Sequence, residues 1–147
     1  MKIILSTIFL FLFISCNGQV EKNELLTRSL TDTTLKIRGN LIELGTSDYR
    51  LDYYDVYEKD SHYKFLESRA YQGGGASWLG IIYGAIKMSY PDLLNDIRFD
   101  DESDGLAIWS EDKSKLEKIG RLIAMLKSDD DLLLQAIDAA NTLGQME

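Results

Sequence analysis

The chain of 147 residues is acidic, with a formal net charge of −8, and it contains one cysteine and one histidine. The single cysteine, Cys16, excludes a disulfide framework within the chain. The acidic balance disfavours nucleic acid and anionic membrane surfaces as partners and favours a basic protein surface. The one histidine, His62, lacks the further ligands of a zinc site and the partner of a nucleophile–base pair. We therefore expect no enzymatic activity, no metal and no cofactor.

The N-terminal segment has the layout of a secretory signal. Lys2 gives it a positive charge, an apolar run over residues 3–14 follows, and a small residue precedes Cys16. As a helix, the apolar run spans only ~18 Å, against the ~30 Å of hydrocarbon that a transmembrane helix crosses. The pattern therefore predicts a signal peptide over residues 1–15 that is removed on export, rather than a retained membrane anchor.

Cys16 stands where a bacterial lipobox places the cysteine that becomes the lipidated first residue. The match departs from the usual pattern at Phe13, where such boxes usually have leucine. The alternative is an ordinary signal peptide followed by an incidental cysteine. We expect lipid attachment at Cys16, and hence an exported protein held by acyl chains on the periplasmic side of a membrane or at the cell surface. Loss of Lys2 with the signal takes the formal net charge to −9.

Residues 16–33 are polar and only weakly periodic, and they predict a lipidated cysteine followed by a tether. A short helical turn through Leu25, Leu26 and Leu30 is the alternative. Residues 34–147 are then long enough for a single domain with its own core.

The first part of this domain predicts three antiparallel strands. Residues 34–45 alternate, and Tyr49, Leu51, Tyr53 and Tyr57 fall on one face of the next strand. Residues 62–71 are aromatic and predict the third strand, which would contain His62. Short turns are expected at residues 45–47 and 59–61.

The rest of the domain predicts helices around a second strand pair. Apolar residues recur at helical spacing from Trp78 to Met88, and Pro91 begins a short helix. Two strands follow at 97–99 and 105–109, and Ser110 is expected to cap a helix that ends near Lys127. A last helix over 129–141 begins in acidic residues. The fold class is α+β, an antiparallel sheet of about five strands with helices packed on one face, in the order βββ-α-ββ-αα.

Three consecutive glycines, Gly73, Gly74 and Gly75, precede the Trp78 helix and raise the question of a phosphate site. No lysine follows them as in a Walker loop, and Trp78 stands where a dinucleotide-binding turn has its third glycine. We therefore interpret the run as a tight turn from a strand into the helix. Residues 80–84, GIIYG, are expected to permit close packing of that helix on the sheet.

The acidic stretch that begins at Asp100 has two interpretations, a calcium-binding loop and a hairpin turn. Counted from Asp100, carboxylates fall at positions 1, 3, 5 and 12, with glycine at position 6, which is near the pattern of a calcium loop. Glu102 is one methylene too long at position 3, and the residues up to Trp109 alternate as in a strand. The simpler interpretation is a hairpin turn at DDESDG.

Residues from about 67 to 141 resemble the immunity protein 51 family of bacterial polymorphic toxin systems. The resemblance is carried, in this order, by the segments YQGGGASW, YPDLLNDI, RFDDESDGLAIWS and SDDDLLLQAI. Its landmarks are Gly73, Gly74, Gly75, Trp78, Pro91, Phe99 and Trp109. The family's turn is of the type G-x-G-x-x-W, and GGGASW departs from it slightly. Trp78 and Phe99 are expected to belong to the core.

The resemblance implies a small protein that binds and neutralises a cognate toxin domain, itself expected to be basic. Exposed carboxylates of the hairpin are the expected contacts: Asp100, Asp101, Glu102 and Asp104. Their alternative role is that of a solvated turn. Two other functions fit the sequence, a general envelope lipoprotein that acts as an adaptor or inhibitor, and a calcium-binding module.

Overall fold

The computed structural model describes residues 20–54 and 61–147. The signal peptide, Cys16 and Tyr57 lie outside these ranges. Within them the chain forms α1 (Glu24–Ser29), β1 (Asn40–Glu43), β2 (Tyr49–Tyr53), α2 (Ser61–Glu67), α3 (Gly75–Ser89), a 3₁₀ turn (Pro91–Leu94), β3 (Ile97–Glu102), β4 (Gly105–Ser110), α4 (Lys113–Ser128) and α5 (Asp130–Thr142). None of these helices has the length and apolar character needed to span a bilayer.

The four strands form one antiparallel sheet in the order β1-β2-β4-β3. Leu51 of β2 pairs with Ile108 of β4, which pairs on its other side with Phe99 of β3. Because side chains alternate along a strand, this register places one apolar residue of each strand side by side on the same face: Leu41, Leu51, Ile108 and Phe99. The α+β class and the helices on one face are confirmed, with four strands in the described ranges rather than five.

The core lies between that face and the helices. Leu51, Tyr53, Leu106 and Ile108 are buried on the sheet side, and Trp78 of α3 is 1% exposed. The Tyr53 and Trp78 rings meet edge to face, with centroids 5.2 Å apart and planes at 76°. The apolar residues predicted at helical spacing in α3 are buried, which confirms that prediction, and those of α4 are buried with the same spacing.

The third predicted strand is wrong, because residues 61–67 form α2. His62 and Leu66 are both buried and lie four residues apart, which is the spacing of one face of a helix. The aromatic content of this stretch favoured a strand, but the apolar contacts have the helical period. His62 therefore lies in a helix, where its Nε2 is 3.1 Å from the Asp130 carboxylate at the start of α5.

The expected tether is replaced, from Asn23 onward, by a helix that packs on the core. Asn23 caps α1 through its side-chain oxygen, which accepts from the backbone N–H of Leu25 and Leu26. Leu26 is 0% exposed and Leu30 5% exposed. Burial of these leucines outweighs the polar composition of the segment, so the alternative of a short helical turn describes this stretch.

Two further local expectations are corrected. Asp112, not Ser110, caps α4: its carboxylate accepts from the Ser114 N–H at 2.9 Å, whereas Ser110 ends β4. The glycines of GIIYG face α5 and the segment after it rather than the sheet. A Cβ at Gly84 would lie 2.3 Å from the Ala136 carbonyl oxygen, so these glycines let α3 and α5 approach closely.

Candidate functional site

The acidic stretch forms a hairpin between β3 and β4, as the simpler interpretation predicts. Asp101 pairs with Leu106 and Glu102 with Gly105, and Ser103 and Asp104 make the turn. The four candidate carboxylates, Asp100, Asp101, Glu102 and Asp104, are all exposed. Four negative charges within five residues give this end of the sheet a strongly negative potential.

The hairpin is a strand–turn–strand unit, so the helix–loop–helix frame of a calcium-binding EF-hand is not formed around it. Asp100 and Glu111, the first and last carboxylates of the calcium-loop pattern, lie in β3 and directly after β4. Within residues 20–54 and 61–147, no group of three or more metal-ligating side chains is placed to hold a metal ion. The geometry therefore favours the hairpin as a charged protein surface.

The glycine run connects two helices, α2 and α3, and its residues have different roles. Gly73 has φ +75°, a conformation that side chains disfavour. Gly75 is the first residue of α3 and lies against the pair that closes the hairpin turn, where a Cβ would be 2.0 Å from the Gly105 carbonyl oxygen. The run is a tight turn, as expected, but it leaves a helix rather than a strand, and it supports the acidic hairpin from behind.

The chain's own groups accept from the N–H groups of the turn before α3. Gly73 N–H donates to Ser77 Oγ at 2.9 Å, and Gln72 N–H donates to the Glu147 carboxylate at 2.9 Å. Ser77 Oγ also contacts Glu147. A carboxylate of this chain thus occupies the place at which the sequence raised the question of a phosphate.

The sheet face opposite the helices carries a row of stacked side chains. The register aligns Arg50 of β2, Trp109 of β4 and Arg98 of β3 side by side. The guanidinium of Arg50 lies 5.1 Å from the centroid of the Trp109 ring, and that of Arg98 lies 4.8 Å away. Both distances allow a cation–π interaction. We call this row, Arg50–Trp109–Arg98, the stacked row.

Asp52 fixes one side of the stacked row. Its Oδ2 accepts a hydrogen bond from the Arg50 guanidinium at 2.9 Å, and its Oδ1 lies 2.7 Å from Arg50 Nε in an ion pair. The Asp52 side chain is only 3% exposed. Tyr54, the next residue on this face, is 62% exposed. The negative charge of Asp52 raises the pKa of the Tyr54 phenol above its usual value.

The structure also shows where the other residues that carry the family resemblance lie. Trp78 is buried in the core as expected, and Phe99 is half-buried and packs against that core. Pro91 is exposed at the start of the 3₁₀ turn. Trp109 is half-buried on the sheet face opposite the helices, beside Arg50 and Arg98.

Sequence reasoning found the hairpin but missed the stacked row. The predicted alternation of β2 already assigns Arg50 and Asp52 to the face opposite Leu51. Their position beside Trp109 depends on the register between β2 and β4, which are separated by more than fifty residues. A single sequence carries no signal for that register.

The comparison with family models places the chain in a class of immunity proteins. The chain matches the model of Immunity protein 51 over residues 40–142, most of its length, and it belongs to that family. The resemblance proposed from the sequence is confirmed, and the match extends further towards the N-terminus, into β1 and β2. Comparisons with curated proteins and with solved structures gave no match.

Proposed function

We propose that this immunity protein binds and blocks a cognate polymorphic toxin domain, using the acidic hairpin as part of its contact surface. Membership of the Immunity protein 51 family is the observation that carries the proposal. The exposure of the four hairpin carboxylates supports it, because an acidic surface accelerates association with a basic partner. A basic toxin surface is therefore the expected counterpart.

Neutralisation of the hairpin tests this proposal directly. The variant replaces the four acids by amides of the same shape: Asp100→Asn, Asp101→Asn, Glu102→Gln and Asp104→Asn. We expect it to lose protection of cells that express the cognate toxin domain, which is to be sought among the genes beside this one. In vitro, the association rate with that domain at low salt should fall about tenfold or more, because steering is lost. Growth under toxin expression and stopped-flow binding measure the two effects.

The control removes the same number and type of charges elsewhere on the exposed surface. It carries the substitutions Glu67→Gln, Asp92→Asn, Asp131→Asn and Asp138→Asn. If it protects and binds like the wild type while the hairpin variant does not, the hairpin contributes specifically. Equal association rates for the two variants would exclude the hairpin as a contact. Failure of the wild-type protein to bind or protect would reject the immunity function with this toxin.

We also propose that the protein is exported and anchored by acyl chains at Cys16. The support is the sequence pattern of residues 1–16, with a charged start, a short apolar run and a cysteine at the junction. A toxin blocked by such a protein acts in the periplasm or on the envelope, or is intercepted as it enters. Insertion of each acyl methylene contributes about 0.8 kcal/mol, so several chains hold the protein firmly.

Cys16→Ala should abolish incorporation of labelled fatty acid and release the protein from the membrane fraction. Acyl label that remains on the variant would contradict this site, because Cys16 is the only cysteine of the chain. Ser15→Ala is the matched control, since it changes the neighbouring residue and leaves the cysteine in place. Radiolabelling and fractionation of both variants give the readout.

A further inference from the structure

We propose that the toxin docks on the open face of the sheet, with the stacked row as the anchor of the contact. On this proposal, the toxin presents a carboxylate to Arg98 and basic side chains to Asp100 and Glu102. The inference rests on the proposed function and adds to it a specific surface and the charge pattern of the partner.

The stacked row has the composition of an interface anchor. Tryptophan, tyrosine and arginine are the residue types most enriched among the contacts that dominate binding energy. Trp109 and the two arginines lie on one face, as the strand register shows, and the Tyr54 ring lies next to Gly105 at the end of β2. The apolar face on the other side of the same sheet is filled by the core. On the open face a partner can reach the exposed side chains of Tyr54, Arg98, Asp100 and Glu102.

The row is also held in place before any partner arrives. Arg50 is fixed by two contacts to the buried Asp52 carboxylate, and its guanidinium stacks on one side of Trp109. Arg98 stacks on the same ring from β3. Side chains that are already ordered lose less conformational entropy on binding, so more of the contact energy contributes to affinity.

The charges of this face define the partner. Arg98 is exposed, and no carboxylate of the described residues forms an ion pair with it. Asp100 and Glu102 follow it at two-residue intervals along β3 and share its face. A uniformly basic partner would be repelled by Arg98 and a uniformly acidic one by Asp100 and Glu102. A toxin with a carboxylate beside basic residues would be attracted both by Arg98 and by the two acids. The same charge pattern would fix the orientation of the bound toxin and disfavour toxins with other patterns.

Fluorine NMR of the mature protein labelled with 5-fluorotryptophan locates the docking face. The chain has two tryptophans, of which Trp78 is buried and Trp109 half-buried on the open face. Trp109→Phe assigns the resonances. The probe is the same unlabelled cognate toxin domain as in the protection test, separated from its complex in denaturant and refolded. We expect its addition to shift the Trp109 resonance and to leave that of Trp78 in place.

Charge reversal at Arg98 then tests the contact itself. We expect Arg98→Glu to raise the Kd for the toxin domain about 30-fold or more, because a carboxylate then faces a carboxylate. Arg98→Lys keeps the charge and should lose less affinity. The control is Arg69→Glu, which removes another exposed arginine that stacks on an aromatic ring, that of Phe65 in α2. It should bind within about twofold of the wild type. Thermal unfolding of each variant verifies that it is folded.

The outcomes separate the two proposals. If wild-type protein binds the toxin domain but Arg98→Glu binds equally well and the Trp109 resonance does not move, this inference is wrong and the immunity function stands. If the wild type binds no toxin domain, both fail. If sedimentation shows that the wild type self-associates and Arg98→Glu makes it monomeric, the face joins two copies of this chain and the inference is overturned.

Discussion

Leu26→Ala should lower the free energy of unfolding by about 2–5 kcal/mol, although Leu26 lies in a segment whose composition predicts a tether. Its side chain is 0% exposed and belongs to the same core as α3 and α4. Truncation removes buried methyl groups and leaves a cavity, because the surrounding helices relax only partly. Denaturant titration of the mature protein, followed by tryptophan fluorescence, measures the change.

Leu25→Ala is the matched control for this prediction. Leu25 is the adjacent residue of the same helix and is 51% exposed, so the same substitution should change the free energy of unfolding by less than about 0.5 kcal/mol. Equal effects of the two substitutions would mean that α1 does not pack as described. If neither substitution changed the free energy of unfolding, the segment would be a tether and not part of the core.

Hydrogen bonds to distant elements give a second reason to expect α1 to be part of the domain. Asn23 N–H donates to the Met88 carbonyl at 2.7 Å, and Asn23 Nδ2 donates to Gln135 at 2.9 Å. A guanidinium nitrogen of Arg121 donates to the Leu30 carbonyl at 3.2 Å. These contacts tie α1 to α3, α5 and α4 in turn.

The contrast between α1 and the helices at the end of the chain shows what local sequence can predict. In α4 the apolar residues recur over four turns, so period and length agree and the helix is correctly predicted. α1 has one turn and a half, and only the four-residue interval between Leu26 and Leu30 indicates it. For α2, the interval between His62 and Leu66 was outweighed by aromatic content that favours strands. Short helices depend on tertiary contacts for their stability, so composition alone misplaces them.

The candidate site likewise has one part that local sequence predicts and one part that it does not. The acidic hairpin is local: its charges, turn and alternation all lie within about twelve residues, and the sequence predicts them together. The stacked row forms only because β2 pairs with β4, which in turn pairs with β3. The contact of Gly75 with the hairpin forms only because the start of α3 lies beside it. Both depend on which distant segments meet, which hydrophobic patterning leaves open.

Gly75→Ala should lower the free energy of unfolding by about 3 kcal/mol or more, at the upper end of what overpacking costs. A Cβ at this position would lie 2.0 Å from the Gly105 carbonyl oxygen and 2.3 Å from that of Glu102. Both atoms are backbone, so no side-chain rotation relieves the overlap, and either the start of α3 or the hairpin must move. Because Glu102 belongs to the acidic surface, we also expect weaker binding of the toxin domain by the fraction that remains folded.

Gly45→Ala is the control that separates this overlap from the general effect of replacing glycine. Gly45 lies between β1 and β2, and a Cβ there meets nothing within 4 Å. Alanine at such a site should leave the unfolding free energy within about 0.5 kcal/mol of the wild type, or raise it slightly by restricting the unfolded chain. Denaturant midpoints of the two variants, with toxin binding measured on the same preparations, decide the matter. An unchanged midpoint for Gly75→Ala would show that the hairpin does not rest on α3, and an unchanged affinity at a lowered midpoint would show that this contact maintains the fold without positioning the acidic surface.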